Sequence, residues 1–203
     1  ALPIFYCAFN QSYKIDRTLF ACWMRLLAAV PSSVLWLLTP KGDAQKNLKA
    51  ATHAAGVDPS RLIFAPPMGK AQHLARQRLA DLFLDTWRIN GGTTASDALW
   101  AGLPVLSIAG ERFGKRVAAS LLHAMGMNEL IAENPHEYEE RALNLARAPA
   151  KLAEIKARLA RARDETALFD TAGFARDFEN LLAKMVERQR AGLPEFSDEA
   201  VAD

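Results

Sequence analysis

Residues 82–102 read LFLDTWRINGGTTASDALWAG, and this stretch decides the fold. It opens on a continuous apolar run, passes through a polar loop that contains Gly91 and Gly92, and continues as a helical pattern that starts near Thr93 and stops at Gly102. A continuous apolar run is typical of a strand buried on both faces, and a glycine commonly follows the last residue of a helix. The stretch therefore predicts a strand, a loop and a helix of the kind that repeats in parallel α/β sheets.

The same alternation runs through the first two thirds of the chain, at intervals of roughly 20 to 30 residues. This spacing is that of βα units, which stack their strands into a parallel sheet. Strands are predicted at residues 4–9, 34–38, 62–65, 82–86 and 105–108, and helices at residues 16–27, 43–55, 70–80, 93–102 and 115–125. The expected fold class is α/β, with a Rossmann-like parallel sheet and helices on both of its faces.

The pattern changes near residue 136, after which the charged, Ala-rich and Arg-rich sequence predicts helices alone to about Arg190. We expect residues 1–135 to form the sheet lobe, residues 136–190 a helical extension of the same lobe, and residues 191–203 a frayed tail. The chain opens directly on a strand-like run without an initiating Met, which suggests a piece of a longer protein.

The composition of the chain argues against several classes of function. The 203 residues carry 25 Lys and Arg against 23 Asp and Glu, a balance that leaves no broad cationic face for nonspecific nucleic-acid binding. Apolar runs fall short of the roughly 18 residues that a membrane-spanning helix needs. Two cysteines are too few for a disulfide framework in a chain of this size, so a reducing, cytoplasmic setting is expected.

The loop after the fourth predicted strand has the composition of a phosphate-binding loop. Gly91 and Gly92 let a ligand approach the backbone closely, and Thr93 and Thr94 add hydroxyls at a helix start, where the helix dipole favours an anion. The loop matches neither the P-loop motif nor GxGxxG. An ordinary helix cap is the alternative interpretation.

Two charged residues extend this hypothesis. Asp97 lies one helical turn beyond Thr93, where its carboxylate can accept hydrogen bonds from sugar hydroxyls, and a solvated acid is the alternative. Lys14 follows the first strand in a polar loop and is placed to neutralise a diphosphate leaving group, or else is a surface lysine.

A third group lies on the helix after the third strand. Lys70, His73 and Arg76 recur every three residues and so share one face, where their donors suit a nucleotide base and ribose. A basic, solvated face is the alternative. No metal-ligand cluster, Ser/His/Asp arrangement or pair of catalytic carboxylates stands out, and neither a metal nor a bound cofactor is expected.

Six ordered segments resemble a known family: FNQSYKID at 9–16, SVLWLL at 33–38, RLIF at 61–64, ADLFLDT at 80–86, NGGTTASD at 90–97 and LWAGLPVL at 99–106. Together with GE at 110–111, RVAAS at 116–120 and LFD at 168–170, they are similar to the C-terminal lobe of the O-linked N-acetylglucosamine transferases. The resemblance covers nearly the whole chain and implies the C-terminal, nucleotide-binding lobe of a GT-B glycosyltransferase.

The resemblance implies an inverting, metal-independent enzyme that moves N-acetylglucosamine from UDP-GlcNAc to Ser or Thr of proteins. By position, Gln11 and Lys14 contact the diphosphate, and Lys14 stabilises charge as UDP departs. The remaining implied UDP-binding positions are the phosphate-binding loop with its helix start and two groups of residues near the nucleoside. Lys70 and Asp97 bind the ribose, and His73 and Arg76 contact the uracil near the backbone of Met68. The loop positions are Gly91, Gly92, Thr93 and Thr94.

Two departures from the family leave alternatives open. Gly92 stands where the family usually has His before the Thr pair, so one donor to the diphosphate is absent. The sequence also contains no N-terminal lobe and no helical tetratricopeptide repeats, so the lobe alone is expected to be inactive. A related UDP-glucose or Asn-directed protein glycosyltransferase, or a non-catalytic nucleotide-sugar-binding scaffold, are the alternative functions. Exposed apolar residues are expected to await the absent lobe, at Phe174, Phe178, Leu181, Leu182 and Met185.

Overall fold

The computed structural model describes residues 4–194, and within them six strands form one parallel sheet. The strands are β1 Phe5–Ala8, β2 Val34–Leu38, β3 Leu62–Ala65, β4 Leu82–Leu84, β5 Val105–Ile108 and β6 Ile131–Ala132. Their order across the sheet is β3-β2-β1-β4-β5-β6. This is the doubly wound order of Rossmann folds, so the α/β prediction is confirmed.

The direction of winding reverses between β1 and β4. These two central strands pair in parallel, with Tyr6 opposite Leu82 and Cys7 opposite Phe83. All three residues of β4 and all four of β5 are buried, as expected for strands covered on both faces. In such a sheet the ligand crevice lies outside the carboxyl ends of the strands at the point of reversal. The loops after β1 and β4 therefore meet where a ligand is expected.

Eight helices accompany the sheet in the described part of the chain. They are α1 Arg17–Ala29, α2 Ala44–Ala54, α3 Lys70–Gln77, α4 Thr93–Trp100, α5 Val117–Ala124, α6 Pro135–Arg147, α7 Pro149–Glu165 and α8 Thr171–Arg190. Asp16 caps α1 as predicted, because its carboxylate accepts hydrogen bonds from the N–H groups of Thr18 and Leu19. No helix among residues 4–194 is both long and apolar enough to cross a membrane.

The predicted boundaries need several corrections. Strand β1 occupies only Phe5–Ala8 of the predicted 4–9, and β4 ends at Leu84, two residues before the predicted end. Helix α2 is one residue shorter at each end, α3 ends at Gln77, and α5 starts at Val117. After α3 and before α5 the backbone forms tighter turns in which an N–H bonds to the carbonyl oxygen three residues earlier. Ala80 N–H donates to Gln77 O after α3, and Arg116 N–H donates to Phe113 O before α5. Strand β6 was not predicted, because a two-residue strand carries no periodic pattern.

The sequence after residue 136 folds as helices, and α6 is part of the core. Tyr138 of α6 is fully buried, and its hydroxyl donates a 3.0 Å hydrogen bond to the carbonyl oxygen of Asp85. By contrast, α8 buries none of its side chains against the described residues. Its expected apolar stripe is exposed, at Phe174, Phe178, Leu181, Leu182 and Met185. Of the tail expected to fray, residues 195–203 lie outside the described part of the chain.

Candidate functional site

The two loops at the point of reversal are joined by side-chain hydrogen bonds. Asn10, directly after β1, donates from Nδ2 to Asp85 Oδ1 at 2.9 Å and to Thr86 Oγ1 at 3.0 Å. Lys14 reaches across the same gap, and its ammonium donates to the carbonyl oxygen of Asn90 at 2.8 Å. The structure thus brings together the two loops that the sequence indicated separately.

Asp85 is the centre of this junction. It is fully buried, and its Oδ1 also accepts from the N–H of Gly91 at 2.7 Å, while its Oδ2 accepts from Ser107 Oγ at 2.6 Å. Burial raises the pKa of Asp85 from 3.8 to about 6, and the hydrogen bonds from Ser107, Gly91 and Asn10 oppose that rise. The carboxylate therefore holds both loops from beneath the site and is itself shielded from a ligand.

The start of α4 presents backbone donors at this junction. The first bond of the helix runs from Ser96 N–H to the carbonyl oxygen of Gly92. The earlier N–H groups of an α-helix have no acceptor within the helix, and the helix dipole adds positive potential there. With the ammonium of Lys14 bonded to the residue before Gly91, the arrangement suits a doubly charged anion such as a diphosphate.

Gly91 and Gly92 differ in their surroundings. A Cβ at Gly91 would lie 2.7 Å from Thr94 Oγ1, 3.0 Å from Asn10 Oδ1 and 3.2 Å from the backbone N of Ala95. A Cβ at Gly92 would meet only Val117 Cγ1, at an ordinary 3.8 Å. The close approach of backbone to side chains therefore requires glycine at position 91 and leaves room for a side chain at position 92.

The predicted ribose holders form a pair between two helices. Lys70 at the start of α3 lies 2.5 Å from Asp97 of α4, measured from Nζ to Oδ1. The lysine side chain is 60% exposed and the aspartate 15% exposed, so the pair lies at the rim of the site. Charge pairing at a solvated rim adds little stability, and both groups have further hydrogen-bonding capacity to offer a ligand.

His73 and Arg76 contact each other rather than standing as two free donors. Arg76 is buried, with Nε donating to His73 Nδ1 at 2.9 Å, Nη1 donating to the carbonyl oxygen of Pro66 at 2.7 Å, and the guanidinium 4.7 Å from the centre of the Phe9 ring. Burial, followed by the charge of Arg76, lowers the pKa of His73. A neutral imidazole that accepts at Nδ1 carries its proton on Nε2, which leaves Nε2–H as the donor for a ligand.

The other predicted positions lie at the rim. Gln11 is exposed at the start of the turn that leads to Lys14, and Met68 is 41% exposed in the segment between β3 and α3. Asn10, Asp85, Asn90 and Ser107 received no role in the sequence analysis. The sequence could have indicated Asn10 and Asp85 as candidates, since each is among the first polar residues after a buried strand. Their mutual contact depends on the strand order, which the sequence pattern does not give.

The residues described here include no group of three or more His, Cys, Asp or Glu side chains placed to hold a metal ion. Metal independence stays a prediction, because a metal ion can also be held in part by a bound substrate, without three protein ligands.

The profile of glycosyl transferase family 41 matches residues 2–178. The chain belongs to glycosyl transferase family 41. This family 41 chain is 38% identical to the UDP-N-acetylglucosamine–peptide N-acetylglucosaminyltransferase of Caenorhabditis elegans over 191 residues, which make up 94% of the chain and 17% of that relative. It is also 38% identical over 183 residues to a probable enzyme of the same name, SEC, from Arabidopsis thaliana, covering 90% of the chain and 19% of that protein.

A solved structure extends the family 41 match to three dimensions. A mutant O-GlcNAc transferase of Thermobaculum terrenum superposes with a TM-score of 0.82 at 30% identity, over 90% of this chain and 36% of that chain. The fold is thus that of one GT-B lobe, as the resemblance implied. The family 41 chain spans less than one fifth of the length of the two relatives above.

Proposed function

We propose that this family 41 lobe binds the UDP moiety of UDP-GlcNAc and forms the donor half of a transferase that moves N-acetylglucosamine to Ser or Thr of proteins. The observation that carries the proposal is the convergence of the Lys14 ammonium and the start of α4 at the reversal between β1 and β4. The two relatives at 38% identity bear names that state transfer of N-acetylglucosamine from its UDP conjugate to a peptide.

The proposed catalytic contribution of the lobe is electrostatic. When the bond between the sugar and UDP breaks, negative charge builds on the departing diphosphate. In this proposal Lys14, Gln11 and the N–H groups of Thr93 and Thr94 stabilise that charge, and donors fixed before reaction are the most effective. The hydrogen bond from Lys14 to Asn90 holds the ammonium in place. No metal is needed in this scheme to balance the diphosphate charge.

The nucleoside is proposed to lie along α3. Lys70 and Asp97 hold the ribose hydroxyls, and the Nε2–H of His73 and the backbone near Met68 face the uracil. Arg76 is proposed to act here by fixing the orientation of His73, because its own guanidinium is buried against Phe9 and Pro66.

The remaining partners of the reaction are proposed to lie outside this chain. A protein acceptor, an N-terminal lobe and helical repeats complete the enzyme in this proposal, and nucleic acid has no place in it. The exposed apolar stripe of α8 is consistent with a lobe that has an additional partner. A cytoplasmic setting is proposed on the basis of Cys7 and Cys22, both buried with free thiols.

Calorimetric titration tests the donor-lobe proposal. UDP is titrated into the chain with ADP as control, alongside the variant Lys14→Ala. Saturable binding that prefers UDP and weakens in the variant supports the proposal. Binding of neither nucleotide, or equal binding of both, contradicts it. Restoring the other lobe and offering UDP-GlcNAc or UDP-glucose with Ser- or Asn-containing acceptors then separates the transferase alternatives.

A further inference from the structure

We propose that Asp85 and Asn10 are positioning residues that commit the hydroxyl proton of Thr94 to the protein, so that Thr94 meets the diphosphate through its backbone N–H and Thr93 supplies the hydroxyl donor. This inference rests on the proposed function, because it concerns the same diphosphate site. It separates two adjacent threonines to which the sequence assigns one role.

The direction of each hydrogen bond follows from its neighbours. Thr86 Oγ1 donates its single proton to the carbonyl oxygen of Ile89 at 2.7 Å, so it can only accept from Asn10. Asn10 therefore turns its amide nitrogen toward Thr86 and toward the carboxylate of Asp85, which are both acceptors.

The amide oxygen of Asn10 consequently faces Thr94. Thr94 Oγ1 lies 2.5 Å from Asn10 Oδ1, and an amide oxygen has no proton to give, so the threonine hydroxyl is the donor. A hydroxyl has one proton, and Thr94 donates its proton to Asn10. Toward a phosphate oxygen, the Thr94 side chain offers only lone pairs.

Asp85 fixes this chain of bonds from its buried end. The same Oδ1 that accepts from Asn10 also accepts from the N–H of Gly91, which removes that N–H from the donors offered to a ligand. Thr93, by contrast, is exposed at the first position of α4. At the start of α4, the donors left for the diphosphate are then the Thr93 hydroxyl and the N–H groups of the first turn.

A double-mutant cycle on UDP affinity tests the inference. Asn10→Ala, Thr94→Val and their combination are titrated with UDP, with Thr93→Val and its combination with Asn10→Ala as the matched control cycle. Asn10→Ala is expected to weaken UDP binding at least about three- to tenfold, because the start of α4 loses its bond to Asn10 and the two loops lose the bonds that Asn10 donates to Asp85 and Thr86. In the Thr94→Val background its effect should be clearly smaller, since only the bonds to Asp85 and Thr86 then remain to be lost, whereas in the Thr93→Val background its effect should persist in full.

Conservative variants complete the test. Thr94→Ser keeps the donated proton and should bind UDP as the wild type does. Asp85→Asn should also retain binding, because its oxygen still accepts from Asn10 and Gly91 while the hydroxyl of Ser107 turns to accept from the new amide. Asp85→Ala should weaken UDP binding, and if it fails to fold, the Asn10 cycle carries the test alone.

The outcomes separate this inference from the function on which it rests. Additive effects of Asn10→Ala and Thr94→Val would overturn the positioning role while UDP binding by the wild type leaves the proposed function standing. Equal weakening by Asp85→Asn and Asp85→Ala would overturn it as well. A wild type that does not bind UDP would instead overturn the proposed function and this inference together.

Discussion

Lys14 Nζ donates a 2.8 Å hydrogen bond to the carbonyl oxygen of Asn90, across 76 residues of sequence. The contact closes the gap between the loop after β1 and the loop that leads into α4. It fixes an ammonium group one residue before Gly91, next to the positive end of a helix dipole. The fold thus holds the Lys14 ammonium and the start of α4, both of positive potential, beside the same space without a bound ligand.

Replacing Lys14 by Ala should weaken UDP binding about ten- to a hundredfold, because a hydrogen bond to a charged group contributes roughly 1.5 to 3 kcal/mol. Calorimetric titration measures this effect. Lys151→Ala is the matched control, since Lys151 is an exposed lysine of α7, and it should bind UDP as the wild type does. Equal affinities of wild type and Lys14→Ala would contradict the role of Lys14.

Alanine at position 91 and alanine at position 92 should have opposite outcomes. Gly91→Ala forces a Cβ against Thr94, Asn10 and the backbone of α4, and overpacking of this kind costs roughly 1 to 3 kcal/mol. We expect a lower free energy of unfolding and weaker UDP binding. Gly92→Ala meets Val117 at 3.8 Å and should leave folding intact. Denaturant unfolding followed by UDP titration compares the two, and equal destabilisation would show that the space around the two glycines is misassigned.

Sequence reasoning located the strands that build the core because their apolar runs and the glycines after the helices are local signals. The N-cap at Asp16 and the helix start after Gly92 follow from local signals in the same way, while phosphate binding by this loop stays a prediction. The strand order places β1 beside β4, and the loops that follow them therefore meet at the candidate site.

The interior of the site was not predictable, because it depends on contacts between distant residues. Asp85 and Ser107 are 22 residues apart, and Asp85 and Tyr138 are 53 apart, yet both contacts are buried. Spacing on a helix also misleads: Lys70, His73 and Arg76 share a face, but Arg76 folds back under that face onto Phe9. Periodicity indicates which side of a helix a residue occupies and carries no information about where a long side chain ends.

Asp85 should make the free energy of unfolding depend on pH. Its pKa is about 6 in the folded state against an ordinary value of 3.8, so between these values the folded chain retains a proton that the unfolded chain has lost. The stabilising contribution is fully present below the unfolded pKa and is lost as the pH rises through about 6, with a total of about 3 kcal/mol. Relative to Asp85→Asn, the wild type should therefore lose stability from pH 4 to pH 7.5.

Denaturant unfolding of the wild type and Asp85→Asn at a series of pH values measures this difference. Ser107→Ala provides a further check, because the hydrogen bond from Ser107 holds the pKa of Asp85 down, so its removal should move the loss of stability to higher pH. Parallel pH profiles for the wild type and Asp85→Asn would show that Asp85 does not titrate in this range.

Introducing histidine at position 92 should strengthen UDP binding. The resemblance indicates that the family usually has His there, and the nearest atom to a Cβ at this position is Val117 Cγ1 at 3.8 Å, so the side chain has room beside the start of α4. One added neutral hydrogen bond corresponds to an affinity gain of about two- to tenfold. Gly92→Leu, which adds similar bulk without a donor, separates hydrogen bonding from packing. The gain in Gly92→His should exceed that in Gly92→Leu for UDP and vanish for uridine, which lacks the diphosphate. If both variants gain equally, or if uridine gains as much as UDP, the side chain at position 92 does not face the phosphates.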